Sequence, residues 1–144
     1  MAVFNLINDW LDNLVEDTDC ASDQFTVALS DTAPGAEGSP PTGDGDGVLA
    51  NVTQTVYTFC SSRNITTVSS GQAAGTYGLV LQDLTLTAAG GVVGPFRYVY
   101  VYDDTVAAPA DPLVCYYDYG SSITLADGET LLIDFAAGGL FQLS

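Results

Sequence analysis

The sequence predicts an all-β fold, an antiparallel β-sandwich or a jelly-roll-like barrel, with one short N-terminal helix. Two observations support this class. Branched side chains that fit a pleated, half-buried sheet are abundant, with 14 Val, 4 Ile and 15 Thr. Short segments that alternate apolar and polar residues are separated by Gly-rich turns. We expect an N-terminal helical arm over residues 1–20 and a single β domain over residues 21–144.

The amino-terminal segment has a helical pattern. Phe4, Ile7, Leu11 and Leu14 recur at helical spacing, and Asn and Asp residues lie largely between them. Trp10 is adjacent to this apolar stripe. The pattern predicts a short amphipathic helix that docks on the body of the protein or on a neighbouring subunit.

The rest of the chain has the pattern of short strands. A first strand is predicted over residues 24–30, and an acidic surface loop rich in Pro and Gly follows over residues 31–47. Alternation resumes in four segments, residues 48–58, 63–69, 76–80 and 81–87. A closing strand is predicted over residues 140–143.

Two hairpins are predicted in the second half of the chain. The clearer one joins residues 96–102 to residues 112–119. Alternation places its aromatic residues on one face: Phe96, Tyr98, Tyr100 and Tyr102. The second hairpin joins residues 122–125 to residues 130–135 through Asp127-Gly128, a dipeptide that favours a tight turn.

The charge excludes several classes of function. The chain has 2 Lys+Arg residues, 18 Asp+Glu residues and no His, so its formal charge is −16. Two arginines cannot replace the counterions of a nucleic acid, and anionic membranes repel an acidic surface. Without His or Lys, the chain lacks the usual general base, the commonest zinc ligand and a Schiff-base nucleophile. We therefore expect a protein that is not an enzyme and has no cofactor, no nucleic-acid partner and no membrane partner.

Few residues are candidates for chemistry. Cys20, Cys60 and Cys115 are widely spaced, and we expect them to be buried, reduced thiols. Four aspartates near the ends of the tyrosine hairpin would meet at one rim in a glycosidase: Asp103, Asp104, Asp111 and Asp118. Turn formation is the interpretation that we favour.

The run of alternating glycines and aspartates over residues 43–47 is a further candidate. Its carboxylates, Asp44 and Asp46, are the kind of ligand that a hard cation such as Ca²⁺ prefers. The run lacks the closing Glu of an EF-hand loop. We favour an acidic loop without a metal ion.

Lateral protein contacts are the function that this composition favours, because Tyr is enriched at interfaces. We expect the contacts to be made by apolar residues of the helix and by hairpin tyrosines: Phe4, Ile7, Trp10, Leu11, Tyr98, Tyr100, Tyr102, Tyr116 and Tyr119. Stacking of these tyrosines on sugar rings is the alternative. Arg97 is expected to have a structural role, in an ion pair with a carboxylate or stacked over a cross-strand tyrosine such as Tyr117.

Several segments resemble a family of small virion proteins of tailed bacteriophages. They are FTVALSDTAP at residues 25–34, VLANVT at residues 48–53, GPFRYVYVYDDT at residues 94–105, DPLV at residues 111–114 and YDYGSSITLADGE at residues 117–129. The tyrosine hairpin with its Asp-Tyr-Gly-Ser-Ser continuation is the most specific part. The chain departs from the family pattern in its lack of lysine and in its acidic run over residues 43–47.

The resemblance implies a structural component of the virion, assembled in the host cytoplasm. Its first implication is a head decoration or cement protein that binds the major capsid protein and copies of itself, with a trimer expected. A tail or neck component and a glycan-binding head appendage are the alternatives.

Overall fold

The computed structural model describes residues 2–36, 38 and 42–144 of the chain. In these residues it contains nine strands, one α-helix and a short 3₁₀ helix. The elements in chain order are β1 (Val3–Leu6), α1 (Trp10–Glu16), β2 (Phe25–Ser30), the 3₁₀ helix (Leu49–Asn51), β3 (Thr67–Ala73), β4 (Thr76–Leu81), β5 (Leu84–Thr87), β6 (Val93–Asp103), β7 (Leu113–Leu125), β8 (Thr130–Ile133) and β9 (Phe141–Leu143). Part of the predicted loop over residues 31–47, namely residues 37 and 39–41, lies outside the described residues, as does Met1.

The predicted all-β class with antiparallel sheets and one short helix is confirmed. The strands form three sheets, with the orders β1-β7-β6-β2, β3-β4-β9 and β5-β8. Every strand pairing in them is antiparallel. The arrangement of the three sheets as a sandwich stays a prediction.

The tyrosine hairpin forms the centre of the largest sheet. Strands β6 and β7 pair in the register that places Tyr100 opposite Tyr116 and Val99 opposite Tyr117. Strand β2 pairs with the other edge of β6, with Val27 opposite Val101. Directly paired residues share a face of a sheet, so the valines and the tyrosines of β6 lie on opposite faces.

The predicted second hairpin is wrong. Strand β8 follows β7 through a turn at residues 126–129, but it pairs with β5, where Leu86 lies opposite Leu131. The end of β7 is already paired with β6, since Val93 lies opposite Leu125. Residues 126–129 therefore connect two different sheets and do not close a hairpin within one.

The strand predicted over residues 48–58 is also wrong. The chain there forms the 3₁₀ helix Leu49–Asn51 and then runs irregularly beside β2, where the Thr55 N–H donates to the Leu29 carbonyl over 2.8 Å. The hydroxyl of Tyr57 accepts a hydrogen bond from the Leu29 N–H, also at 2.8 Å. These bonds hold residues 43–57, the cover segment, against the four-stranded sheet.

The helix prediction is wrong for the first residues of the chain. Residues 3–6 form β1, which pairs with β7 so that Phe4 lies opposite Tyr117 and Leu6 opposite Cys115. The helix begins only at Trp10 and has seven residues. A short helix has little stability of its own, so hydrogen bonds to a neighbouring strand outweigh a helical pattern of four apolar residues.

The core contains residues of all three sheets and of both ends of the chain. Ile7 and Trp10 are fully buried, and the Trp10 ring contacts Phe25 and Phe141 edge-on, each with a centroid distance of 6.2 Å.

The three cysteines are free thiols. Cys20 and Cys115 are buried as predicted, whereas Cys60 is half-buried.

Candidate interaction surface

An apolar groove lies beside the edge strand β1. Its volume is about 610 Å³, and apolar and aromatic side chains form most of its wall. The lining residues with side chains are Ala2, Phe4, Tyr117, Tyr119, Leu132, Ile133, Asp134, Ala136 and Leu140. We call this surface the β1 groove. Its size is within the range of pockets that hold a ligand or an anchoring side chain.

A row of aromatic rings begins in the wall of the β1 groove and continues into the core. Phe4 packs edge-on against Tyr117 with a centroid distance of 5.5 Å, and Tyr117 packs against Phe135 with a centroid distance of 6.2 Å. Burial raises the pKa of Tyr117 and of Tyr119, and the negative charge of Asp134 adds to both effects. Both hydroxyls therefore stay protonated near neutral pH and can donate hydrogen bonds.

The strand that borders the β1 groove is itself exposed and uncharged. Val3 is 59% exposed, Phe4 39% and, across the groove on β8, Leu132 55%. Strand β1 has one neighbour, β7, so in the described part of the chain its other edge has no strand partner. Residues 2–8 carry no charge in a protein with a formal charge of −16. An uncharged, apolar edge strand is a common site of strand addition by another chain.

The predicted contact residues of the N-terminal segment separate into two groups. Phe4 and Leu11 are exposed, as a partner contact requires. Ile7 and Trp10 are buried in the core and present no surface to a partner. The helix therefore docks on the protein's own sheets through Trp10, whereas Phe4 and Leu11 of the apolar stripe stay exposed.

The hairpin tyrosines also have different environments. Tyr98, Tyr100 and Tyr102 are buried, with Gly45 of the cover segment against the hydroxyl of Tyr100. Tyr116 is half-buried and packs against the rings of Tyr98 and Tyr100, at centroid distances of 6.2 and 5.5 Å. Neither a partner nor a sugar ring reaches the three buried tyrosines in this structure.

Tyr119 and Tyr117 are the tyrosines that reach the β1 groove. Sequence reasoning missed Leu132 and Leu140. A signal for Leu132 was present, because Leu131 and Leu132 are adjacent on one strand and neighbouring strand residues point to opposite faces. The two leucines therefore lie on opposite faces of β8, and Leu132 is on the more exposed one.

Arg97 forms an ion pair with Asp118, which is the first of the two predicted alternatives. Its Nε and Nη2 donate to the two carboxylate oxygens over 2.7 and 2.8 Å. The guanidinium lies 5.1 Å from the ring centroid of Tyr98, not over Tyr117. The hydrogen bond from Arg97 lowers the pKa of Asp118, and the Gly120 N–H lowers it further. The Asp118 carboxylate therefore has a structural role, because Arg97 and the Gly120 N–H both donate hydrogen bonds to it.

Arg97→Ala is expected to raise the pKa of Asp118 toward its ordinary value and to lower the melting temperature by no more than about 5 °C. The stabilisation by the ionised carboxylate is present above the unfolded-state pKa and is lost as pH falls through the lowered folded-state pKa. NMR titration of the Asp118 carboxyl checks the shift. Arg97→Lys, which keeps the charge but not the two-pronged geometry, is the control; an unchanged titration in Arg97→Ala contradicts the assignment.

The candidate cation ligands, Asp44 and Asp46, lie in the cover segment. They are on the Tyr100 side of the four-stranded sheet, whereas the Phe4–Tyr117 pair of the β1 groove is on the other side. The two sites are therefore separate.

Comparison with known proteins finds no relative. No protein-family model matches the chain, and neither a curated protein nor a solved structure shows significant similarity to it. Among the residues that the structure describes, no helix is both long and apolar enough to span a bilayer.

Proposed function

We propose that this protein is a capsid decoration protein of a tailed bacteriophage, which binds the major capsid protein through the β1 groove and stabilises the head. The observation that carries the proposal is the β1 groove: an uncharged apolar strand with an open edge on an otherwise strongly acidic chain. The sequence resemblance to small virion proteins is the reason for proposing the major capsid protein as the partner.

The mode of binding that fits this surface is strand addition. An extended segment of the capsid protein pairs with the open edge of β1, and one of its apolar side chains enters the groove between Phe4 and Leu132. Lys or Arg residues beside that segment face the acidic surface of this protein, so association slows as salt concentration rises.

Decoration stabilises the shell through many equivalent contacts. Each bound copy links neighbouring capsid subunits, and every such link must break before the shell opens. Because the copies act together, modest affinity at each site is sufficient. A ring of three copies on a local three-fold axis is the arrangement that we propose, since closed symmetry leaves no interface unsatisfied.

Phe4→Asp and Leu132→Asp are each expected to weaken binding to phage heads that lack this protein by at least tenfold. A charge in the β1 groove must be desolvated when the partner segment binds. Co-sedimentation of purified protein with the heads measures the affinity. Val68→Asp is the matched control, because Val68 is also an exposed apolar strand residue but lies on β3, outside the groove. Unchanged melting temperatures show that all three variants fold.

Two results would overturn the proposal. One is the absence of the protein from purified virions; the other is binding of Phe4→Asp to heads with wild-type affinity. Electron microscopy of decorated particles also separates the alternatives, since density at the neck or along the tail identifies a neck or tail component instead.

A further inference from the structure

Three buried oxygen atoms without hydrogen-bond partners belong to one loop and to the tyrosine beneath it. They are Oδ2 of Asp44, Oδ1 of Asp46 and the hydroxyl oxygen of Tyr100. In the described residues the other buried side-chain atoms of this kind are Nε1 of Trp10, Oγ1 of Thr18 and Oδ2 of Asp103. Buried polar groups are nearly always satisfied, so such a concentration of unpaired oxygens requires an explanation.

The tyrosine hydroxyl points at the loop between the two aspartates. Tyr100 is fully buried, and a Cβ atom added to Gly45 would lie 2.7 Å from its hydroxyl oxygen. Gly45 has a φ of +80°, which other residues rarely adopt, so both its conformation and its lack of a side chain let the loop approach the ring. The hydroxyl oxygen therefore lies against the loop that carries both aspartates.

Each aspartate is held in place by one oxygen and leaves the other free. Oδ2 of Asp46 accepts hydrogen bonds from the Gly43 N–H at 2.9 Å and the Gly38 N–H at 3.2 Å. Oδ1 of Asp44 accepts from the N–H and the hydroxyl of Thr53, at 2.7 and 2.9 Å. The two carboxylates are thus oriented by the backbone, and their remaining oxygens are unpaired.

The chain has no positive side chain to neutralise these aspartates. Arg63 lies over the ring of Tyr57, 3.8 Å from its centroid, and donates to the Val27 carbonyl. Arg97 is paired with Asp118. Asp46 is only 2% exposed, and buried charges in proteins are paired with opposite charges or coordinate metal ions.

We propose that Asp44, Asp46 and Tyr100 form a binding site for one Ca²⁺ ion. All three donors are oxygen atoms, which hard cations prefer, and an irregular glycine-rich loop suits the flexible coordination of Ca²⁺ better than the strict octahedron of Mg²⁺. No three acidic or cysteine side chains cluster in the described part of the chain, so loop carbonyls and water complete the coordination. With two carboxylates, the site belongs to the weak class of about 0.1–1 mM affinity. The bound ion clamps the cover segment onto the four-stranded sheet.

Terbium luminescence tests the site directly, because Tb³⁺ replaces Ca²⁺ and emits when a nearby tyrosine is excited. We expect wild-type protein to give tyrosine-sensitised Tb³⁺ emission that Ca²⁺ displaces. Asp44→Asn and Asp46→Asn are expected to weaken Ca²⁺ competition at least tenfold. Tyr100→Phe is expected to reduce the emission at least threefold, since it removes the tyrosine nearest to the ion. Asp17→Asn, which removes one exposed charge elsewhere, is the matched control and keeps the wild-type signal.

A thermal-shift series at constant ionic strength completes the test. Ca²⁺ at about 10 mM, which exceeds the expected dissociation constant, is expected to raise the melting temperature of the wild type and of Asp17→Asn, and to raise that of Asp44→Asn by less than half as much. An equal rise in all variants shows general charge screening and overturns the proposal. Absence of sensitised emission from the wild type also overturns it. If Asp46→Asn does not fold, Asp44→Asn and Tyr100→Phe decide the outcome.

Discussion

Replacing Trp10 with alanine is expected to lower the free energy of unfolding by about 3–5 kcal/mol. The indole is fully buried and lies between Phe25 of β2 and Phe141 of β9, so it joins two of the three sheets. Removing it leaves a cavity that the surrounding strands fill only in part, because their backbones are fixed by pairing. Urea denaturation monitored by circular dichroism measures the change.

Two variants control this experiment. Trp10→Phe keeps an aromatic ring and removes an indole N–H that is buried without a partner, so we expect less than half of the loss seen for Trp10→Ala. Val15→Ala alters the same helix at a side chain that is 82% exposed and is expected to change stability by no more than about 0.5 kcal/mol. If Trp10→Ala unfolds at the wild-type urea concentration, Trp10 does not anchor the core, and its predicted role in partner contact regains support.

The error at the amino end shows what local pattern leaves undetermined. Phe4, Ile7, Leu11 and Leu14 fit a helical stripe, and Leu11 and Leu14 do lie in α1. Phe4 belongs instead to β1, because its hydrogen-bonding partner is a strand more than a hundred residues later in the chain. A preference of a few tenths of a kcal/mol per residue cannot compete with a complete edge pairing, and the sequence gives no direct sign of that pairing.

The tyrosine hairpin shows the complementary case. Period-two alternation was sufficient to pair residues 96–102 with residues 112–119 and to place Tyr98, Tyr100 and Tyr102 on one face, as their partners on β2 show. What covers that face was not predictable, because residues 48–58 alternate like a strand while their backbone bonds to the edge of β2. As a result, a surface predicted for partners is part of the interior.

The β1 groove was only partly predictable for a related reason. Phe4 and Tyr119 were identified as contact residues from composition, but the groove exists because β8 pairs with β5 and places Leu132 across from β1. A long-range pairing of this kind depends on which edges other strands leave open. Sequence patterning identifies the apolar residues, whereas topology decides which of them share a surface.

The second large expected effect is a change of stability with pH, and it comes from one buried carboxyl group. Asp103 is fully buried at the end of β6, where its Oδ1 accepts from the Thr105 N–H at 3.0 Å and its Oδ2 has no partner. Burial raises the pKa of Asp103 to about 6; the bond from Thr105 opposes this rise, and the negative charge of Asp23 adds to it. The ordinary pKa is 3.8, so the folded protein holds this proton more tightly than the unfolded chain does.

The sign of the pH effect follows from this difference. Between about pH 4 and pH 6 the folded state binds more protons than the unfolded state, so the contribution of Asp103 to stability falls as pH rises through this window. Above about pH 6 both states are ionised and the contribution stays constant at its lowest value. Asp103 therefore destabilises the protein at neutral pH, in contrast to Asp118, whose pKa is lowered.

Asp103→Asn is expected to raise the free energy of unfolding at pH 7.5 by about 2–3 kcal/mol, because the amide oxygen keeps the bond from Thr105 without a buried charge. The gain is expected to be about 1 kcal/mol smaller at pH 5, where the wild-type carboxyl is largely protonated when folded. Urea denaturation from pH 5 to pH 8 measures both values and stays above the isoelectric point of about 4.1. Asp104→Asn removes an equal charge from the exposed neighbouring residue and is expected to change the free energy of unfolding by no more than about 0.5 kcal/mol. Equal gains in the free energy of unfolding of the two variants would mean that the effect comes from the overall charge of −16. A lower free energy of unfolding for Asp103→Asn at every pH would mean that the ionised carboxylate stabilises the turn after β6.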